Sequence, residues 1–213
     1  MARRFLCVVL ELFAIALAAG SRAGAQTEQT RETWQRVADL FAAAHVGIGA
    51  RVADVGAGDG FLVVRLASAV GPGGKVYAVD IDEKVLNGLR RRLADAHIAN
   101  VNVVVGGEDD PHLQADTLDA AFIVNAYHEM PMGVAGLQRL LAALKPGGRL
   151  VLCEPVPRTA NQSRAAQMSD HVLDPVLILE DLRATGYQIV DRQDAFAINF
   201  GGTRFGFIVA RRP

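Results

Sequence analysis

Residues Val52 to Phe61 read VADVGAGDGF, a short apolar run interrupted by an acid and followed by glycines at every second position. The run predicts a buried strand, and the glycines predict a turn that opens into a helix. A turn whose backbone N–H groups approach a ligand has no room for side chains, so Gly56, Gly58 and Gly60 predict a ligand cradle.

Spacing separates the two kinds of ligand that use such a cradle. A dinucleotide fold takes G-x-G-x-x-G with the pyrophosphate on the helix N-terminus. Here the third glycine comes one residue early, at Gly60, and Phe61 stands where the dinucleotide pattern has glycine. This spacing, preceded by Asp54, resembles the first motif of class I S-adenosylmethionine-dependent methyltransferases.

The chain of 213 residues, 51% hydrophobic and 21% charged, suits one domain with a sizeable core. Its first residues stand apart: Arg3 and Arg4 precede an apolar run from Phe5 to Ala19, and small residues at Ala23-Gly24-Ala25 precede Gln26. That order predicts a secretory signal peptide over residues 1–25 and a domain over 26–213, exported to the periplasm or secreted. The run is short for a membrane span and holds Glu11, so no stable span is expected once the leader is cleaved. An uncleaved anchor, or a cytosolic chain, is the alternative. Net charge is −1, and cleavage would remove three arginines and one glutamate, so no basic excess points to nucleic acid. Cys153 would be left without an intrachain partner, a small core residue.

Glu28 to Ala44 places Trp34, Val37, Ala38 and Phe41 on one helical face, lying against the sheet or roofing the ligand site. Phe61 to Val70 predicts the first crossover helix, closed by Gly71-Pro72-Gly73-Gly74. A phosphate-loop reading of Lys75 fails, because Val76 follows it and opens a strand. That strand ends in Asp80-Ile81-Asp82, about twenty residues beyond the glycine turn, where an acid can accept both hydroxyls of a ribose. Asp80 is the ribose candidate, and Asp82 can cap a helix over Glu83 to Ala96.

Val101 to Val105 predicts a buried strand. The acidic loop that follows ends at Pro111, suited to a helix start with Asp110 as cap. Leu118 to Val124 predicts a fourth strand ending in Asn125-Ala126-Tyr127-His128-Glu129. H-E-x-x-H zinc ligation fails at Met132, and with the other histidines scattered no metal site is expected. A helix over Pro131 to Leu144, the Lys145-Pro146-Gly147-Gly148 stop and a fifth strand into Glu154 follow. Pro155 to Ser169 is polar and irregular, the place for a variable substrate cover. Asp174-Pro175 opens a helix that Gly186 stops, and Tyr187 to Ala197 with Arg204 to Ala210 predicts a closing antiparallel hairpin through Gly201-Gly202.

From Val52 to Ala210 this order of motifs, including LKPGGRLVLCEP, is similar to small single-domain class I S-adenosylmethionine-dependent methyltransferases. The resemblance implies a Rossmann-like, doubly wound α/β fold whose seven-stranded sheet is mostly parallel and ends in a C-terminal antiparallel hairpin. It implies S-adenosylmethionine as cofactor and a small-molecule methyl acceptor. By that resemblance the cradle at Gly56, Gly58 and Gly60 holds the cofactor's amino-acid end with Asp54 near its ammonium. Asp80 takes the ribose, Ile81 packs on the adenine, Glu108 or Asp109 accepts the adenine amino group, and Asn125 lines the methyl donor's side. His128 is the candidate catalytic base for a hydroxyl acceptor, because imidazole titrates near neutrality. Two other readings compete: an NAD-dependent oxidoreductase, disfavoured by Phe61 and the closing hairpin, and an exported non-catalytic ligand-binding protein on the same fold.

Overall fold

Seven strands form one sheet in the order β3-β2-β1-β4-β5-β7-β6, the five consecutive strands β1 to β5 parallel and the last two antiparallel. They are β1 Arg51–Val55, β2 Lys75–Asp80, β3 Val101–Val105, β4 Leu118–Val124, β5 Leu144–Pro155, β6 Gln188–Ile198 and β7 Arg204–Arg211. The helices are α1 Val37–Ala44, α2 Phe61–Val70, α3 Glu83–Asp95, α4 Gly133–Ala143, α5 Arg164–Ser169 and α6 Pro175–Ala184, with a 3-10 turn over Tyr127–Glu129. This computed structural model describes residues 28–130, 133–159 and 162–213. The leader reading lies outside them. The chain divides after Arg36 into two units, and the sheet and the site belong to the second, Val37 to Pro213.

Alternation along the strands supplies both faces of a doubly wound sheet. Ala53, Val55, Ala121, Ile123, Leu150 and Leu152 join one cluster with Leu137 and Leu140 of α4 and Leu179 and Leu182 of α6. On α1, Phe41 meets Phe122 of β4 edge-on at 5.7 Å, and Arg149 of β5 donates to the Ala43 carbonyl at 2.8 Å, so α1 lies against the sheet. The chain leaves β1 toward β2 and β3, and re-enters on the other side of β1 at β4. That places the topological switch point, where such sheets bind ligands, between the ends of β1 and β4.

The second strand pair of the sequence reading, the two crossover helices and the closing hairpin stand where the pattern places them. Asp82 caps α3 by accepting from the Lys84 and Val85 amides, and Asp174 caps α6 by accepting from Val176 with Pro175 next in the chain. Gly186 at φ 92 leaves α6 through the left-handed region.

Five expectations are corrected. The helix expected over Glu28 to Ala44 is interrupted at Gln35 and Arg36, the last residues of the first unit, with Arg36 at φ 52, and in the second unit Ala38 is exposed. β3 is an edge strand, half-exposed with Val105 41% accessible, because only β2 pairs with it. No helix starts at Pro111; the Gly107 amide bonds the Asp110 carbonyl at 2.7 Å and Asp110 Oδ1 takes the His112 amide at 2.8 Å, closing a turn. The Lys145 to Gly148 turn is absorbed into β5 as an irregularity in its pairing with β4, and Val134, placed on the apolar face of the helix by the spacing, is exposed. The segment after Pro155 holds the short helix α5, capped by Ser163.

Candidate active site

The three glycines of the turn after β1 all take positive φ, at 82, 51 and 80 degrees, and their surroundings differ. A Cβ on Gly56 would stand 2.5 Å from Ala126 Cβ and 2.9 Å from Met130 Cε, so this glycine lets the turn close against the chain leaving β4. A Cβ on Gly60 would overlap Leu89 Cδ1, so this one lets α2 start against α3. A Cβ on Gly58 would meet nothing within 4 Å. Gly58 is therefore the glycine that faces open space. Asp59 completes the turn, its Oδ1 accepting from the Phe61 amide at 3.1 Å where Gly60 offers no side chain to cap α2. Phe61 is buried, with the Arg65 guanidinium 3.8 Å from its ring centroid.

Asp80, at the end of β2, ties this turn to its neighbour. Its Oδ2 accepts from the Gly58 amide at 2.9 Å and its Oδ1 from the Asp82 amide at 3.0 Å. Each carboxylate oxygen keeps a second acceptor position. Beside it Ile81 is 58% exposed, an apolar surface open to solvent over more than half its area. Asp54 lies buried near the end of β1, between Ala78 of β2 and Phe122 of β4. Glu108 and Asp109 are both exposed on the turn beyond β3.

On the other side of the switch point Asn125 is exposed in the left-handed region at φ 55, its amide bonded to the Cys153 carbonyl at 2.8 Å. Asparagine tolerates this conformation, and a non-glycine residue held there at the end of a central strand is a mark of a functional crevice. His128, three residues on, is buried, and its Nδ1 stands 2.7 Å from Glu154 Oε2 at the end of β5. Glu154 is itself buried and accepts from the Ala126 and Tyr127 amides at 2.8 and 2.9 Å. A carboxylate in its ionised form only accepts, so a neutral imidazole facing it carries its proton on Nδ1 and has its lone pair on Nε2. Tyr127 anchors the same turn, donating to Asp181 Oδ2 at 2.8 Å, and burial together with the Asp181 charge pushes its phenol far up, out of acid–base use near neutrality.

The sequence-predicted residues thus gather along the carboxyl ends of β1, β2, β3 and β4. Two participants carried no local signal. Glu154 sits in a strand tail whose acid gains meaning only once β5 lies beside β4. His171 follows α5, yet its Nδ1 stands 2.9 Å from Glu129 Oε1.

With the glycine turn, the acid at the end of β2 and the crevice after β4 on one edge, likeness to known proteins becomes decisive. Residues 48–189 match the profile of a family described as "Methyltransferase domain". The chain belongs to that family. Among curated relatives, nocamycin O-methyltransferase of Saccharothrix syringae is 33% identical over 112 residues, which are 51% of this chain and 39% of the relative. Demethylmenaquinone methyltransferase of Clavibacter sepedonicus is 38% identical over 126 residues, 57% of this chain and 49% of the relative. The chain therefore spans about half the length, or less, of these relatives. Among solved structures, a SAM-dependent methyltransferase from Aquifex aeolicus superposes with a TM-score of 0.72 at 22% identity, over 86% of this chain and 93% of that one. The methyltransferase fold, with its reversed β7 between β5 and β6, is the one described above.

Proposed function

We propose that this methyltransferase domain binds S-adenosylmethionine and transfers its methyl group to a small-molecule acceptor. The observation that carries the reading is the Asp80 carboxylate, bonded to the Gly58 amide at 2.9 Å beside the exposed Ile81. A carboxylate with acceptor positions to spare, next to a bare apolar side chain, suits a ribose and its base. The residues present also suit the amino-acid end: Gly58 faces open space, and the buried Asp54 supplies negative charge near the end of β1. When bound, the cofactor supplies a methyl group on a positively charged sulfur.

The chain's own part is alignment and exclusion of water. The turn from Gly56 to Gly60 and the Asp80 carboxylate would fix one partner of the reaction, while Asn125 and the Tyr127–Glu129 turn would wall the other side. For a hydroxyl acceptor, Glu154 holds His128 so that Nε2 is the nitrogen able to take a proton. The names of the relatives include an O-methyltransferase and a demethylmenaquinone methyltransferase, which supports oxygen and ring-carbon acceptors as the first to try.

Calorimetric titration with S-adenosylmethionine, its demethylated product and NAD tests the reading. Saturable binding of the first two and none of NAD is expected; binding of NAD alone would turn the assignment to an oxidoreductase. The order of Arg3-Arg4, apolar run and Ala23-Gly24-Ala25 supports export, with a mature chain starting at Gln26. Sequencing the N-terminus of the native protein tests that, and an intact Met1 would sink it.

A further inference from the structure

We propose that His128, Glu129 and His171 form a binding site for one divalent transition-metal ion of the zinc class. Donor atoms of the three side chains all lie within 4.8 Å of one another. Glu129 Oε1 is the shared vertex, 3.7 Å from His128 Nε2 and 2.9 Å from His171 Nδ1. A tetrahedral ion with bonds of about 2.1 Å spaces its donors about 3.4 Å apart, so the two edges that meet at Glu129 bracket the bound spacing, and the third, within 4.8 Å, closes by side-chain adjustment at the exposed His171.

The arrangement behind His128 separates this cluster from an ordinary surface ion pair. A pair such as His171 and Glu129, 71% and 60% exposed, contributes little to stability and needs nothing behind it. His128 is instead buried, with Nδ1 on the buried Glu154 carboxylate at 2.7 Å. That is the carboxylate–histidine relay which orients an imidazole ligand and raises its basicity. It leaves Nε2, the nitrogen turned toward Glu129, as the electron-pair donor. Its 3.7 Å separation from Oε1 is too long for a hydrogen bond and suited to an ion between the two atoms.

His171 is also held in place. Its own amide bonds the Met168 carbonyl at 3.1 Å, and the next residues follow suit, Val172 to the Gln167 carbonyl at 3.0 Å and Leu173 to the Pro155 carbonyl at 2.8 Å. The buried Gln167 accepts from the Asp174 amide at 2.7 Å, bracing the same turn. His171 itself takes φ 54, a strained conformation that brings its ring to 5.7 Å from the His128 ring, edge to face.

Two imidazoles and one carboxylate select zinc, cobalt, nickel or iron(II) over magnesium and calcium, which take oxygen donors. Among the described residues the cluster offers three donors, the number that leaves a coordination position open. The site stands on side-chain geometry alone. That its open position would take an acceptor oxygen rests on the methyl-transfer reading, since the cluster begins three residues beyond Asn125. An ion on Nε2 occupies the lone pair that a base would use, so ligand and base are exclusive roles for His128, and His171 distinguishes them.

The test is titration of the full-length, chelator-stripped protein with Co2+ read by its visible absorption and with Zn2+ read by calorimetry, without cofactor or acceptor. One equivalent per chain is expected, unaffected by excess Mg2+. His171→Ala, at an exposed position where folding is not at stake, should weaken binding by at least about tenfold. Glu129→Gln should do the same, while His112→Ala on the far loop should change nothing. Absence of a stoichiometric ion, or binding that survives both His171→Ala and Glu129→Gln, would overturn the site. Neither outcome touches cofactor binding, which S-adenosylmethionine titration of the same preparations reads separately.

Discussion

His128 Nδ1 and Glu154 Oε2 stand 2.7 Å apart at the ends of adjacent strands, both side chains almost fully buried. Burying an imidazole and a carboxylate together is costly unless every acceptor is used. Here the amides of Ala126 and Tyr127 satisfy Oε1 and the imidazole satisfies Oε2. The pair therefore fixes both the path of the chain after β4 and the tautomer of His128.

Glu154→Gln should reverse that tautomer. The amide oxygen can keep the two backbone donors on Oε1, which gives up the longer 3.4 Å contact from the His128 amide to Oε2, turns the NH2 toward Nδ1 and makes that nitrogen the acceptor. The proton then moves to Nε2. Nitrogen NMR of the His128 ring should show the exchange, with about 1–3 kcal/mol lost in denaturant unfolding. An unchanged Nδ1-protonated ring would contradict the assignment.

Asp80→Asn should cost S-adenosylmethionine affinity at least tenfold, about 1.4 kcal/mol, because the amide must turn its NH2 toward one of the two backbone donors it now meets. Calorimetry is the check. Affinity within twofold of the parent would remove Asp80 from the cofactor site.

The three glycines should part company under alanine substitution. Gly60→Ala meets both the left-handed penalty and Leu89, a loss of about 2–5 kcal/mol in thermal or denaturant unfolding. Gly58→Ala meets only the conformational penalty, about 1–2 kcal/mol, but should lose cofactor binding. Equal stability losses at the two positions would show that open space at Gly58 is not what distinguishes it.

Cys153 should be inert. It is fully buried in β5, and burial together with the Glu154 charge pushes its thiol far up. In a Cys7→Ser chain, a thiol reagent at about pH 8 should react with none of the native protein and with one thiol after denaturation. Rapid native reaction would show that β5 opens.

Legibility followed the range of the interaction. α2 starts at Phe61 and β4 spans Leu118 to Val124 as the pattern predicts, because caps, breakers and alternation act between near neighbours in the chain. β3 looked buried because valines fill it, yet its exposure depends on which strands flank it, and it ended on an edge. The helix expected at Pro111 failed locally: the Asp110 side chain took the His112 amide and closed a turn, a near-neighbour bond that competes with a helix start.

At the site the same division holds. By itself the sequence determined the strand–glycine–helix cradle, the acid at the end of β2 and the reversed closing hairpin, since φ preference, hydrogen-bonding capacity and hydrophobic period belong to residues and short spacings. Only the tertiary structure decided which glycine faces open space, that Glu154 stands behind His128 across 26 residues of chain, and that His171 meets Glu129 across 42. Those contacts exist because the sheet sets β4 beside β5 and the chain after α5 returns over the strand ends. Such pairings are set by packing of the whole sheet, and no local signal in the sequence carries them.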